Sequence, residues 1–259
     1  MRVTFLGSGG ALCDHRVNYQ NNALIEGPGG LLLLDCGTTA AQSLRELGVH
    51  ACAIDAVALT HLHGDHASPE QLIWERTYSS PAGPPAFART PLLGPADLIQ
   101  PLRASLAPFI DIFSDEQGEA REGGVDALTE AVIGATLERC GLQLRWFRVP
   151  HVRGATVDKA AYGVEISDGR SVIVWSGDTT FSPGWVCAQA ARPEVVQIFH
   201  ECMFHPPFHG TVHTHYSELQ TLPGEVREKV VLMHHTAVPA GEELRGFAGA
   251  AGRHQTFRF

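Results

Sequence analysis

Six consecutive residues, His61-Leu62-His63-Gly64-Asp65-His66, hold three imidazoles and one carboxylate. Imidazole nitrogen and carboxylate oxygen are donors that zinc and similar divalent ions take, and this many so close together suits a site for two neighbouring ions. The run follows Ala56-Val57-Ala58-Leu59-Thr60, which is apolar and β-prone. The donors are therefore expected just past the C-terminal end of a buried strand, where a loop can turn several side chains toward one point. A purification tag is homopolymeric and terminal, and this run is neither.

Length and composition fit one compact domain over residues 1–259. The chain has 44% apolar residues and 27 glycines, enough for a large core and many turns, and no low-complexity linker divides it. No stretch approaches the ~20 continuous apolar residues of a membrane span, and Met1-Arg2-Val3-Thr4-Phe5 reads as the start of a strand rather than a signal peptide. The six cysteines are scattered with no Cys-x-x-Cys, as reduced, mostly buried thiols are. A cytoplasmic protein is the expectation. Strand-like runs fall at 2–6, 22–26, 31–35, 54–60, 142–149, 162–167, 171–176, 195–200 and 229–233. Helical runs fall at 39–48, 69–78, 95–107, 126–139, 183–191 and 216–222. Asp168-Gly169 signals a hairpin. Segments 79–85 and 111–126 read as surface loops, and no internal repeat is visible.

The His-x-His-x-Asp-His pattern resembles the signature of the metallo-β-lactamase-fold superfamily, and further motifs follow in order. His151, in Val149-Pro150-His151, resembles the third motif. Asp178, in Trp175-Ser176-Gly177-Asp178-Thr179, resembles the carboxylate that bridges two metals, and His234, ending Val230-Val231-Leu232-Met233-His234, resembles the last ligand. The resemblance implies that His61, His63 and His151 hold one ion, Asp65, His66 and His234 the other, and Asp178 both. Asp35, in Leu31-Leu32-Leu33-Leu34-Asp35-Cys36-Gly37, matches an aspartate that supports the ligand loop from behind. The implied fold is α/β, a four-layer αβ/βα sandwich of two mixed β-sheets flanked by helices. The implied cofactor is two divalent ions, zinc first and manganese as the alternative. The likeness runs from Thr4-Phe5-Leu6-Gly7-Ser8-Gly9-Gly10 to Thr236.

Within the superfamily, Glu201 in Ile198-Phe199-His200-Glu201-Cys202-Met203-Phe204, and His213-Thr214, resemble two motifs of the ribonuclease Z branch; Leu93-Gly94-Pro95 and Gly177-Asp178-Thr179 fit it too. That likeness implies that Asp65, His213 and Glu201 serve catalysis: water activated between two ions attacks phosphorus, and His213, oriented by Glu201, protonates the departing ribose oxygen. Such acid assistance is worth about 10² to 10⁴ in rate. Lactones and thioesters have better leaving groups, so an acid pair favours a phosphodiester. His215 is the alternative to His213 by register; otherwise it and His235 are supporting residues, and His200 is a buried histidine.

The departures from that branch matter as much. Its tRNA-processing members carry a long basic arm between the third-motif histidine and the bridging aspartate. Here only 27 positions separate His151 from Asp178, room for one hairpin, and the net charge is −9. Phosphate neutralisation by Lys and Arg supplies most nucleic-acid affinity, so extended nucleic acid is a poor partner. A small phosphodiester, a cyclic nucleotide foremost, is the expected substrate. Armless relatives include phage enzymes that destroy cyclic-nucleotide immune signals, and such members are often homodimers that complete the site from a second subunit. The alternatives are a tRNA 3′-processing endonuclease, a lactonase or thioesterase on the same scaffold, and a non-catalytic sensor module.

Overall fold

The run Leu31-Leu32-Leu33-Leu34 shows why the chain builds layers. Leu32 and Leu34 point into one apolar cluster and Leu33 into another, so the strand is covered on both faces and the polar alternation of a half-exposed strand disappears. The computed structural model describes residues 1–79, 89–110, 124–152, 159–206, 212–238, 244 and 246–259. The first sheet contains β1 (Arg2–Gly7), β2 (Asn22–Gly27), β3 (Gly30–Leu34), β4 (Ala56–Ala58), β5 (Thr90–Gly94) and β6 (Thr129–Ile133). The second contains β7 (Thr136–Arg139), β8 (Leu142–Arg148), β9 (Tyr162–Ser167), β10 (Val172–Trp175), β11 (Val195–Glu201), β12 (Val230–Met233) and β13 (Gly249–Ala250). The last strand, β14 (Thr256–Arg258), returns to the first sheet beside β1, giving the orders β14-β1-β2-β3-β4-β5-β6 and β13-β12-β11-β10-β9-β8-β7.

Both sheets are mixed in the same way: an antiparallel meander leads into a parallel set, β3 to β6 in one and β10 to β13 in the other. Parallel neighbours need crossovers, and the helices supply most of them. Helices α1 (Ala40–Glu46), α2 (Glu70–Tyr78), α3 (Ala96–Ile110) and α4 (Gly124–Leu128) belong to the first half. Helices α5 (Pro183–Ala190), α6 (Tyr216–Leu219) and α7 (Gly224–Arg227) belong to the second. Leu44, Leu72, Ile99 and Leu106 cover the outer face of the first sheet, and Val186, Leu219 and Val226 that of the second. Between the sheets lie Phe5, Ile25, Leu34, Leu144, Trp146, Ile166, Trp175 and Phe199. The architecture is the four-layer αβ/βα sandwich expected.

One expected helix does not form. Residues 126–139 contain only the end of α4; Thr129–Ile133 is β6, parallel to β5, and Thr136–Arg139 is β7, antiparallel to β8. The β-branched Thr129, Val132, Ile133 and Thr136 favour strand, and Gly134, whose Cβ would strike Leu137 at 2.7 Å, marks the turn where the chain passes from one sheet edge to the other. Strands β5, β13 and β14 also lie outside the sequence-based assignment. The Asp168-Gly169 hairpin joins β9 to β10, with Gly169 at φ 84° and Asp168 Oδ1 accepting the Arg170 and Ser171 amides at 3.0 Å each. The expected loops at 79–85 and 111–126 fall mostly outside the described residues.

Phe5 is fully buried, with its ring centroid 5.2 Å from Trp175 and 5.3 Å from Phe199, so it joins the first sheet to the second. Phe5→Ala is expected to lower unfolding stability by about 3–5 kcal/mol. Urea titration of wild type and variant checks this, and a loss below 1 kcal/mol contradicts the inter-sheet role.

Candidate metal centre

The donor side chains converge because they sit past the C-terminal ends of neighbouring parallel strands, where open α/β sheets place their ligands. Asp35 follows β3, His61 follows β4, Asp178 follows β10, Glu201 ends β11 and His234 follows β12. Gly177, at φ 60°, makes the turn that presents Asp178; a Cβ there would lie 2.3 Å from the Tyr162 carbonyl oxygen. Asp35 (φ 59°) and His234 (φ 56°) are non-glycine residues in the left-handed region, a strain of about 1–3 kcal/mol each that tertiary contacts hold at functional sites.

Two donor sets share Asp178: His61, His63 and His151 on one side, and Asp65, His66 and His234 on the other, with the ligand atoms of each set within 4.8 Å of one another. In the first, His61 Nε2 and His63 Nδ1 are 3.0 Å apart, His151 Nε2 and His63 Nδ1 3.4 Å, and His61 Nε2 and Asp178 Oδ2 3.6 Å. In the second, Asp65 Oδ2 lies 3.3 Å from both His66 Nε2 and His234 Nε2, and Asp178 Oδ1 lies 3.5 Å from His66 Nε2. Ligands at about 2.05 Å from a tetrahedral zinc stand about 3.4 Å apart, so these separations suit an ion at each centre.

Hydrogen bonds on the far side of the rings point the lone pairs inward. Asp35 Oδ1 accepts the Thr60 amide at 2.8 Å, and Oδ2 accepts the Thr60 hydroxyl and His66 Nδ1–H at 2.8 Å each. The Thr60 hydroxyl, having donated to Asp35, accepts from His61 Nδ1–H at 3.1 Å. His151 Nδ1–H donates to the Val212 carbonyl at 3.2 Å. His61 and His151 thus keep Nε2 unprotonated toward the centre, and His66 is held with Nε2 turned toward it. Among the described residues, buried His66 Nε2 and Asp178 Oδ1 have no hydrogen-bond partner, and a cation would supply one.

The electrostatics agree. Burial, aided by neighbouring rings, lowers His61, His63 and His151 below the usual imidazole range, leaving them neutral. Burial also pulls on His66 and His234, but the carboxylates outweigh it: Asp178 and Asp35 raise His66 well above its ordinary value, and Asp178, Asp65 and Glu201 raise His234 to about 10. The carboxylates that favour positive charge on these two rings favour a divalent ion in the same place. The donors therefore fit divalent metal binding.

Beside the second set lies a pair. Glu201, fully buried, accepts His213 Nδ1–H at 2.6 Å and the Thr179 amide on its other oxygen. Burial pushes Glu201 up, yet the bonds from His213 and His234 hold it at about 2. Burial lowers His213, and Glu201 more than reverses this, leaving it raised. His213 Nδ1 is also 3.8 Å from Asp178 Oδ2, and its ring stacks on His234 with centroids 5.2 Å apart.

The other histidines sit elsewhere. His215 caps the N-terminus of α6, accepting the Ser217 amide at 3.2 Å, and makes no contact with Glu201. His235 is buried, with its ring 5.8 Å from that of Phe204. His200 Nδ1–H donates to the Glu201 carbonyl at 2.8 Å beneath the site. Sequence reasoning missed Thr60, Thr179 and Asn22. Asn22 accepts the Gly37 amide at 2.5 Å and donates to the Asp65 carbonyl at 3.2 Å, clamping the ligand loop. The signal for Thr60 was its place directly before His61; for Asn22 it was a polar residue opening an apolar strand.

Comparison with known proteins places this arrangement. The protein-family model described as Anti-Pycsar protein Apyc1 matches residues 1–257. An Anti-Pycsar protein Apyc1 from Paenibacillus sp. (strain J14) is 30% identical over 261 residues, covering 97% of this chain and 94% of the relative. Among solved structures, the metallo-β-lactamase fold protein YhfI from Bacillus subtilis superposes with a TM-score of 0.73 at 19% identity, over 99% of this chain and 98% of its own. The short form of human tRNase Z does so with a TM-score of 0.68 at 17% identity, over 100% and 99%. The chain thus has the metallo-β-lactamase fold, and it belongs to the Anti-Pycsar protein Apyc1 family.

Proposed function

We propose that the protein is a divalent-metal-dependent phosphodiesterase that hydrolyses small cyclic phosphodiesters, cyclic nucleotides foremost. The observation that carries this is the joining of two donor sets through Asp178 with the Glu201–His213 pair against the second. Family membership points the same way. His61, His63, His151 and Asp178 hold one ion in this reading, and Asp65, His66, His234 and Asp178 the other. Ions bound there supply Lewis acidity toward the phosphoryl oxygens and an activated water. Zinc suits the nitrogen and oxygen donors, with manganese as the substitute.

The chain's own residues do the rest. Asp35 and Thr60 hold His61 and His66 in the tautomers that leave Nε2 free. Glu201 holds His213 Nδ1–H, so the proton His213 delivers to the departing ribose oxygen comes from Nε2, and the neighbouring carboxylate stabilises the charged ring that carries it. An acid at this point helps poor leaving groups. Only 27 positions separate His151 from Asp178, and the β9–β10 hairpin lies within them, leaving no length for a long tRNA-gripping arm, and the −9 charge disfavours a polyanion. A cytoplasmic homodimer completes the reading, which sedimentation and fractionation test. Among the described residues, no helix is long and apolar enough to cross a membrane.

Metal-loaded protein assayed against 3′,5′- and 2′,3′-cyclic nucleotides, a precursor tRNA and a lactone is expected to turn over the cyclic nucleotides best, with about two ions per chain by elemental analysis. Efficient site-specific tRNA cleavage, or lactone turnover alone, overturns the reading. His213→Ala is expected to keep its metal yet lose about 10² or more in kcat on cyclic nucleotides. It should lose far less on bis-p-nitrophenyl phosphate, whose leaving group departs unprotonated; equal losses would assign His213 a supporting role instead. Because His234 is raised to about 10 without metal, its ring is protonated at pH 7 and must release a proton when an ion binds. Calorimetry of zinc binding in buffers of different ionisation enthalpy should show net proton release, and none would contradict the place of His234 as a ligand.

A further inference from the structure

A pocket of about 320 Å³ opens beside the first donor set. His61, Leu62, His63 and His151 line it together with Asp97, Lys159 and Ala160. It is at the small end of the ~300–1,000 Å³ range of ligand sites, room for one nucleoside and not for a folded nucleic acid. Asp97 stands in the first turn of α3, right after Leu93-Gly94-Pro95, and its position is fixed: Arg148 Nη2 donates to it at 2.7 Å, and the Tyr162 hydroxyl donates at 2.9 Å. Lys159 is tied beside His151 by its amide, which donates to the Val152 carbonyl at 3.1 Å, while its side chain stays exposed. Leu62 is 38% exposed although it lies between two donor histidines.

The charges decide what the pocket takes. The lining carries one carboxylate, already paired with Arg148, and one ammonium, so it offers a ligand both acceptor oxygens and N–H donors. A neutral group carrying both N–H donors and carbonyl or ring-nitrogen acceptors satisfies both side chains, and an apolar leucine suits a flat ring. Nucleobases have that chemistry.

We propose that this pocket is the nucleoside subsite of the enzyme: Asp97 accepts from the base's N–H groups, Lys159 donates to its acceptors and Leu62 lies along its face. The proposal rests on the cyclic-nucleotide reading and extends it to the residues that grip the base. The metal-loaded protein tests it through Lys159→Ala, Asp97→Asn and Tyr162→Phe, each assayed on 3′,5′-cyclic nucleotides and on bis-p-nitrophenyl phosphate, which has no base. Lys159 is exposed and the Asp97 side chain is 43% exposed in its ion pair with Arg148, so neither change removes much folding stability. Lys159→Ala and Asp97→Asn should each raise KM for cyclic nucleotides about tenfold or more. The loss in kcat/KM on bis-p-nitrophenyl phosphate should be at least several times smaller, with metal content and melting temperature near wild type. Equal losses on the two substrates overturn the subsite. So does Tyr162→Phe matching the full effect of Asp97→Asn, because it disturbs the anchoring of Asp97 without touching the pocket wall. Wild-type turnover of bis-p-nitrophenyl phosphate with none of any cyclic nucleotide overturns the functional reading first, and the subsite with it.

Discussion

The Asp35 carboxylate, fully buried beneath the two donor sets, is the constraint on which the centre depends. It reaches His66 directly and His61 through the Thr60 hydroxyl, so one side chain sets a ligand ring in each set. Its cost is real: taking a carboxylate out of water costs several kcal/mol even after relaxation, and burial keeps its pKa raised ahead of the lowering by His66 and Thr60. Three hydrogen bonds to a charged acceptor, at about 1.5–3 kcal/mol each, return a sum of the same order. The net contribution to stability is therefore small. What remains is orientation, and the left-handed backbone at Asp35 is tolerated for the same end.

Glu201 repeats that design on the other side of the centre. It is buried like Asp35, and it bonds to a ring at His213 while standing 3.5 Å from His234 Nδ1. The consequence differs because the ring differs. His66 faces the donor cluster with its other nitrogen, so fixing its ring suits it to the ligand role proposed for it. His213 lies nearer the surface, its side chain 28% exposed, so raising its basicity suits it to the proton-donor role proposed for it. In the proposed mechanism the same carboxylate–imidazole contact thus serves a ligand where the ring faces the donor cluster and an acid where the ring is partly exposed.

Most of this was legible in the sequence, for a physical reason. Metal ligands need particular atoms at particular spacings, so His61, His63, Asp65, His66, His151, Asp178 and His234 stand out in one dimension, and the buried strands behind them stand out as apolar runs. Residues 126–139 were misread because an edge strand packs on one side only. With Glu130 and Glu138 facing outward and Ala131 and Leu137 between, the composition suits a helix, and only pairing with β5 and β8 decides for strand. The short β13 and β14 are likewise made by their partners. His215 and His213 share a segment and a residue type; what separates them is that α6 begins at Tyr216 and takes His215 as its cap. Thr60 and Asn22 were missed because hydroxyls and amides are common, and their value comes from what lies opposite them in space.

The repeated sheet pattern explains how so many donors meet without a long-range search. Each half of the chain runs an antiparallel meander into parallel strands, and the two sheets face each other with their parallel C-terminal ends along one edge. The first half brings Asp35 and the 61–66 run to that edge, and the second brings Asp178, Glu201 and His234. Neither half carries a complete set: His61 and His63 need His151, and Asp65 and His66 need His234, while Asp178 joins both. The centre therefore exists only when the sheets are packed on each other through Phe5, Trp175 and Phe199. Ions bound there tie the two halves together as the apolar core does from below, and their binding free energy adds to that of folding.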